Sequence, residues 1–163
     1  MADTVMRYQI ADYINTGTGS IETWSLMGVG FNTLDENPNA QSESKTYIHQ
    51  KTQTSQIKSY NTQFPFDTDM VKDEAAVMAL YNIGRNHKTG KEAELDYVRV
   101  DLYATPESGT SYPARKFRVS VEVSSVSGEG GGVVKATGNL NTVGDFVEGT
   151  FDTSTKTFTA ASA

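Results

Sequence analysis

Apolar positions recur along this chain with two periods, and the period of two dominates. Phe117, Val119, Val121 and Val123 alternate with Arg118, Ser120, Glu122 and Ser124, the pattern of a strand with one buried face. Between Asp96 and Tyr103, one face carries Val98, Val100 and Leu102. The other carries Tyr97, Arg99, Asp101 and Tyr103, too aromatic a set to be merely solvated. Arg7 to Ile14, Ile57 to Phe66, Val133 to Leu140, Phe146 to Phe151 and Thr155 to Ala160 read as further strands, several of them short and rich in threonine. Helical spacing occurs once, where Ala76, Val77, Leu80, Ile83 and Gly84 share a face of a segment from Asp73 to Gly84. Asp69 or Asp73 is placed to cap its start, and Glu74 suits the positive end of the dipole. Gly84 followed by Arg85, His87 and Lys88 forms a stop signal. These elements predict a mainly β fold: an antiparallel β-sandwich or barrel with one flanking α-helix at about residues 73–84.

The connections are rich in turn formers, notably Gly128 to Gly132 and Thr105 to Pro113. Asn32 to Thr46 is a run of Asn, Asp, Ser and Pro with little apolar material. It reads as part of a long polar loop at about residues 32–56, and long loops in compact domains are commonly functional or ordered by a partner. Phe64, Pro65 and Phe66 look like a core anchor, and Trp24 suits either core or interface.

The chain has 163 residues, enough for one domain with a real hydrophobic core. It has no cysteine, so the fold is expected to hold by packing alone. No basic flank and apolar run open the sequence and no stretch reaches membrane-spanning length, so synthesis in the cytoplasm and no membrane partner are expected. The formal charge of −6 argues against a protein that grips nucleic acid, which would cluster Lys and Arg against phosphates.

Candidate chemistry is sparse. His49 and His87 lack a second histidine at helical or hairpin spacing, and His87 reads better as a cation at a helix C-terminus. Gly84 to Lys91 fails as a phosphate loop in its glycine spacing, and Glu92 stands where a magnesium-binding Ser or Thr belongs. Asp35, Asn37 and Asn39 imitate the first ligands of a calcium loop, but Ala40 replaces the turn glycine and Thr46 the bidentate Glu. No catalytic, cofactor or metal site is expected, and the chain does not read as an enzyme.

Taken in order, three segments resemble tail tube proteins of long-tailed phages and prophages of Gram-positive bacteria. They are Ala11-Asp12-Tyr13-Ile14-Asn15, Trp24-Ser25-Leu26-Met27-Gly28-Val29-Gly30-Phe31 and Leu34-Asp35-Glu36-Asn37-Pro38. The resemblance continues through Lys45-Thr46-Tyr47-Ile48, the Tyr60 to Phe66 strand, the helix, and Gly144-Asp145-Phe146-Val147-Glu148-Gly149-Thr150-Phe151-Asp152. It covers nearly the whole chain. The resemblance implies a single tail tube domain over 1–163 that assembles into hexameric rings, stacked as a hollow conduit for DNA ejection. Implied partners are the chain itself, a tape measure protein, a tail terminator and distal tail proteins. DNA would pass without specific binding, and the location would be the virion tail, after assembly in the host cytoplasm.

On that reading, the long loop reaches the next ring, with Asp35, Glu36, Asn37, Asn39, Glu43 and Lys45 as stacking candidates. Acids would line the lumen. Arg99 and Asp101 share one strand face, and Arg118 and Glu122 another, both expected outside the core; Asp101 and Glu122 are therefore lumen candidates, with Asp145 and Glu148 near a strand end. Tubes of contractile tails and tail-like bacteriocins are alternatives within the same resemblance. A carbohydrate- or protein-binding β-sandwich is the rival from another class, using Trp24, Tyr97, Tyr103 and Tyr112 as a stacking platform.

Overall fold

The computed structural model describes residues 3–18 and 20–161; Met1 and Ala2, at the head of the chain, lie outside them. The strands are β1 (Ile10–Asn15), β2 (Trp24–Leu26), β3 (Phe31–Leu34), β4 (Ala40–Lys45), β5 (Thr54–Tyr60), β6 (Gln63–Asp69), β7 (Glu94–Asp101), β8 (Ser111–Ser127), β9 (Lys135–Thr142), β10 (Val147–Asp152) and β11 (Thr157–Ala160). One α-helix, α1 (Ala75–Arg85), lies between β6 and β7. The fold is mainly antiparallel β with a flanking helix, as the alternation predicted. Nine strands form one sheet: seven run in the order β2-β1-β7-β8-β9-β6-β3, β10 branches from β8 and carries β11, and β4 and β5 form a separate pair.

The long strand β8 organises the sheet. On one edge it pairs with β7; on the other, Ser111 to Lys116 pair with β10 and Val119 to Ser127 with β9. The sheet therefore branches along β8, and its two faces close over different cores. Tyr97, Phe117, Val119, Val121, Phe64 and Leu140 pack on one side with the helix residues Ala76, Leu80 and Ile83. Val98, Val100 and Ala114 pack on the other with Tyr13, Trp24 and Phe151. Phe64, Phe117 and Tyr97 make edge and stacked ring contacts with centroids 4.8–5.9 Å apart in the first core. Tyr13 lies 4.4 Å from Phe151 in the second.

This double burial corrects one expectation. Tyr97, Val98, Arg99 and Val100 are buried in succession, so the face carrying Arg99 is core, not solvent. Arg118 and Glu122 are exposed as expected. Trp24 and Tyr97, at 3% and 0% exposure, cannot serve a surface stacking platform.

The helix buries the predicted face, Ala76, Val77, Leu80 and Ile83. Its ends differ from expectation. Glu74, not Asp69 or Asp73, occupies the N-cap, and its side chain makes no capping hydrogen bond. Gly84 does not end the helix: it lies against β8, where an added Cβ would come within 2.7 Å of Val123 Cβ. The stop falls at His87, whose φ of 52° is left-handed. The His87 amide donates to the Gly84 carbonyl and the Lys88 amide to the Ile83 carbonyl, closing a Schellman motif.

Other boundaries shift as well: Arg7–Gln9, expected in a strand, forms a 3-10 turn ahead of β1, and β9 lies two residues later than expected. Ile57 to Phe66 is not one strand but the end of β5 and the start of β6, broken at Asn61 and Thr62. The polar stretch at 32–56 is not a loop: it holds β3, β4 and the start of β5, and β4 and β5 form a hairpin with every strand residue exposed.

Candidate assembly surface and the ion network at its root

The hairpin Ala40–Tyr60 is the most unusual feature of the surface. Its ladder runs from Ala40 opposite Tyr60 to Lys45 opposite Thr54, with a register shift between Gln41 and Ser42. Serine is the commonest residue of its strands, and Ser44 and Ser55 hydrogen-bond across it at 2.9 Å. Its strands are held by backbone pairing and cross-strand side-chain contacts, with no buried face behind them. An isolated two-stranded hairpin is marginal in water, so this one relies on its root. At its tip, Tyr47 is half exposed and Ile48 fully so, and the Lys45 ammonium sits 5.1 Å from the Tyr47 ring centre.

The root is held by charge. Glu36 accepts two hydrogen bonds from Arg115, at 2.8 and 2.9 Å, and lies 3.6 Å from Arg99 Nε. Hydrogen bonding from Arg115 holds the Glu36 carboxyl below its usual range, against the opposing effect of burial. Arg99 in turn donates to the Tyr97 hydroxyl at 3.2 Å and lies 3.5 Å from Asp12, itself 2% exposed. Tyr97 donates its hydroxyl to Asp12, and burial pushes that hydroxyl well above the usual phenol range. Burial works against the charge of Arg99, but Tyr97, Asp12 and Glu36 outweigh it and raise its pKa. Arg7 completes the chain, donating to Asp12 at 2.8 Å and to the Leu34 carbonyl at 3.1 Å. A continuous set of charge-assisted bonds thus joins β1, β7, β8 and the segment leading into the hairpin.

The stacking candidates divide accordingly. Glu43 and Lys45 stand on the projecting hairpin. The other four sit at its root: Glu36 in the ion network, while the Asp35 amide donates to the Pro65 carbonyl, Asn37 bridges to Gln63, and Asn39 donates to the Asn61 carbonyl. Among the lumen candidates, Glu122 is exposed on β8 and accepts from Asn139 at 3.1 Å. Asp145 is exposed in the β9–β10 connection. Asp101 and Glu148 come together in one groove of about 490 Å³, with Glu107 and Arg115. Burial there raises the Asp101 pKa, opposed by Arg115. Sequence reasoning missed Arg99 and Arg115 as partners of Glu36, since positions 36, 99 and 115 share no local spacing.

A second groove, of about 650 Å³, opens beside the hairpin root between Tyr60 on β5 and Phe146. Arg115 lies over the rings of Phe117 and Phe146, at 5.2 and 5.6 Å, and so fixes the floor of that groove.

No protein-family model matches this chain, and no curated protein matches it. Eight chains of solved structures do. One belongs to the cryo-EM structure of the anti-feeding prophage baseplate, 6-fold symmetrised; it aligns with a TM-score of 0.52 at 8% identity, over 91% of this chain and 97% of that one. The overall fold of this chain therefore also occurs in a chain of that prophage baseplate.

Proposed function

We propose that this chain is a structural subunit of a phage tail or phage-like tail particle, and within it a tube protein that assembles into stacked hexameric rings. The observation that carries this reading is the hairpin Ala40–Tyr60: thirteen strand residues without a buried face, anchored at the root by Glu36 and Arg115. A lone chain gains little from such an arm, whereas an assembly gains a contact between layers. The fold shared with a chain of a six-fold symmetrised prophage baseplate supports the same reading over nearly the full length of both chains.

The role is architectural. Free edges on β2, β3 and β11 suit sheet continuation between neighbours within a ring, which would pair edges that a lone chain exposes. Six chains of −6 give −36 per ring, a charge that repels phosphates and lets DNA slide without sticking. Glu122 and Asp145, exposed and on or beside the long strands, suit the lumen wall. The prophage baseplate neighbour favours a second reading, a ring in the baseplate of such a particle, with no extended tube.

Negative-stain microscopy and light scattering at rising protein concentration test the proposal. Open-ended tubes of six-fold rings are expected; rings that stop at one layer support the baseplate reading. Persistent monomers with affinity for glycans would overturn both in favour of a binding module.

A further inference from the structure

Four charged residues stand in register across four strands of the sheet. Asp12 on β1 is opposite Arg99 on β7, Arg99 is opposite Arg115 on β8, and Arg115 is opposite Glu148 on β10. The two arginines at the centre are therefore directly opposed, and like charges so placed destabilise a strand pair. Arg99 is met on one side by Asp12 and the Tyr97 hydroxyl. Arg115 does not turn to Glu148, its register partner; both its hydrogen bonds go to Glu36, 79 positions away. One Glu36 oxygen, Oε1, lies 2.8 Å from Arg115 and 3.6 Å from Arg99, so a single carboxylate is wedged against both cations.

Each guanidinium has supports other than Glu36. Arg99 is held by Tyr97 and Asp12 and lies 5.8 Å from the centre of the Phe64 ring, while Arg115 lies over Phe117 and Phe146. Arg99 is buried, so water screens its charge poorly. Two pre-positioned guanidinium groups converging on one oxygen are the chemistry that recognises a carboxylate. Glu36 also opens the segment that leads into the hairpin. Asn37 exchanges backbone hydrogen bonds with Gln63, the Asn61 amide donates to the Asn39 carbonyl, and β4 follows at Ala40.

We propose that Arg99 and Arg115 form a carboxylate-binding site built into the sheet, and that the chain fills it with its own Glu36, a tethered ligand that latches the hairpin root. The tether gives Glu36 a high effective concentration, so free carboxylates do not displace it from the intact protein. Removing the Glu36 side chain opens the site to them. A free carboxylate then neutralises the arginine pair but holds no hairpin, so the stability of the sheet and the order of the hairpin root come apart.

Glu36→Ala in the full chain, melted at pH 7 in sodium acetate and in sodium chloride at matched ionic strength, tests both halves of the proposal. The variant is expected to melt below the parent in chloride, and acetate should restore at least about half of the lost Tm, over and above its effect on the parent. That excess should vanish in Glu36→Ala/Arg115→Leu. Amide exchange at Asn37, Asn61 and Gln63 should be at least about tenfold faster in Glu36→Ala, and stay fast once acetate has restored the Tm. An equal excess in the double variant would place the anion elsewhere and overturn the site. No excess in Glu36→Ala would mean that Arg115 turns instead to Asp101 or Glu148, which border it in the acidic groove, and would overturn the site as well. Unchanged exchange at the hairpin root would overturn the latch. Should Glu36→Ala not fold, Glu36→Gln, which keeps the side-chain size without the charge, carries the same comparison.

Discussion

Replacing Arg99 with leucine tests the ion network at the hairpin root. Arg99 is 6% exposed and reaches Tyr97 at 3.2 Å, Asp12 at 3.5 Å and Glu36 at 3.6 Å. Leucine leaves Asp12 buried with Arg7 as its remaining cation, a partner that is itself half exposed. Breaking a buried pair by removing one member costs about 3–5 kcal/mol. The surviving Arg7 contact sets the expectation at the lower end, about 3 kcal/mol. For a chain of this size that corresponds to a fall in Tm of about 6–12 °C, at about 2–4 °C per kcal/mol. Thermal unfolding followed by circular dichroism at pH 7 reads it directly. The double variant Arg99→Leu/Asp12→Asn keeps a hydrogen-bond acceptor for Tyr97 while removing the stranded charge, and should recover at least half of the loss. An Arg99→Leu protein melting within about 2 °C of the parent would mean that the network is solvated and contributes nothing measurable, refuting the reasoning.

Two shifted carboxylates, Glu36 and Asp101, predict opposite responses to pH. Glu36 has a depressed folded pKa, so its contribution is present above its unfolded pKa and lost as pH falls through the folded value; Glu36→Gln should lower stability at pH 7 and flatten its decline on acidification in urea titrations. Asp101 has a raised folded pKa, so its ionised form opposes folding above that value; Asp101→Asn should raise the urea midpoint at pH 7, with the gain vanishing as pH falls below its unfolded pKa. Gly138 faces the β8 bulge between Val123 and Ser125, where a Cβ would overlap the Glu122 carbonyl oxygen. Backbone cannot move aside as a flexible side chain can, so Gly138→Ala is expected to cost about 1–3 kcal/mol by chemical denaturation, whereas the same change at open Gly130 should cost little.

Where exactly one side of a strand meets the core, its pattern was legible in the sequence: Phe117, Val119 and Val121 are buried and Arg118 and Glu122 are not. The helix showed its buried face for the same reason. Alternation loses its meaning in the two opposite situations. Tyr97 to Val100 lies between two cores, so polar Arg99 is buried beside valines, and its charge is met by Asp12 and Glu36 from distant parts of the chain. The hairpin has no core on either side, so no apolar rhythm marks it, and Asn32 to Thr46 reads as loop although much of it is strand. The helix stop escaped because His87, not glycine, takes the left-handed position. Candidate residues divide in the same way: Glu43 and Lys45 are exposed on the hairpin, while Glu36 is held by partners 63 and 79 positions away in sequence.

The second core also sets the order in which the chain can finish folding. Tyr13 and Trp24 emerge early in synthesis, yet the ring they pack against, Phe151, follows Trp24 by 127 residues. At about 5–20 residues per second the ribosome leaves that apolar surface uncovered for roughly 6–25 s. Once β8 has been made, it too lacks β10 along Ser111 to Lys116 until the end of this interval. A stop codon before Phe151 would therefore release a chain with Tyr13 and Trp24 unsheltered, and such a chain is expected to be prone to precipitate.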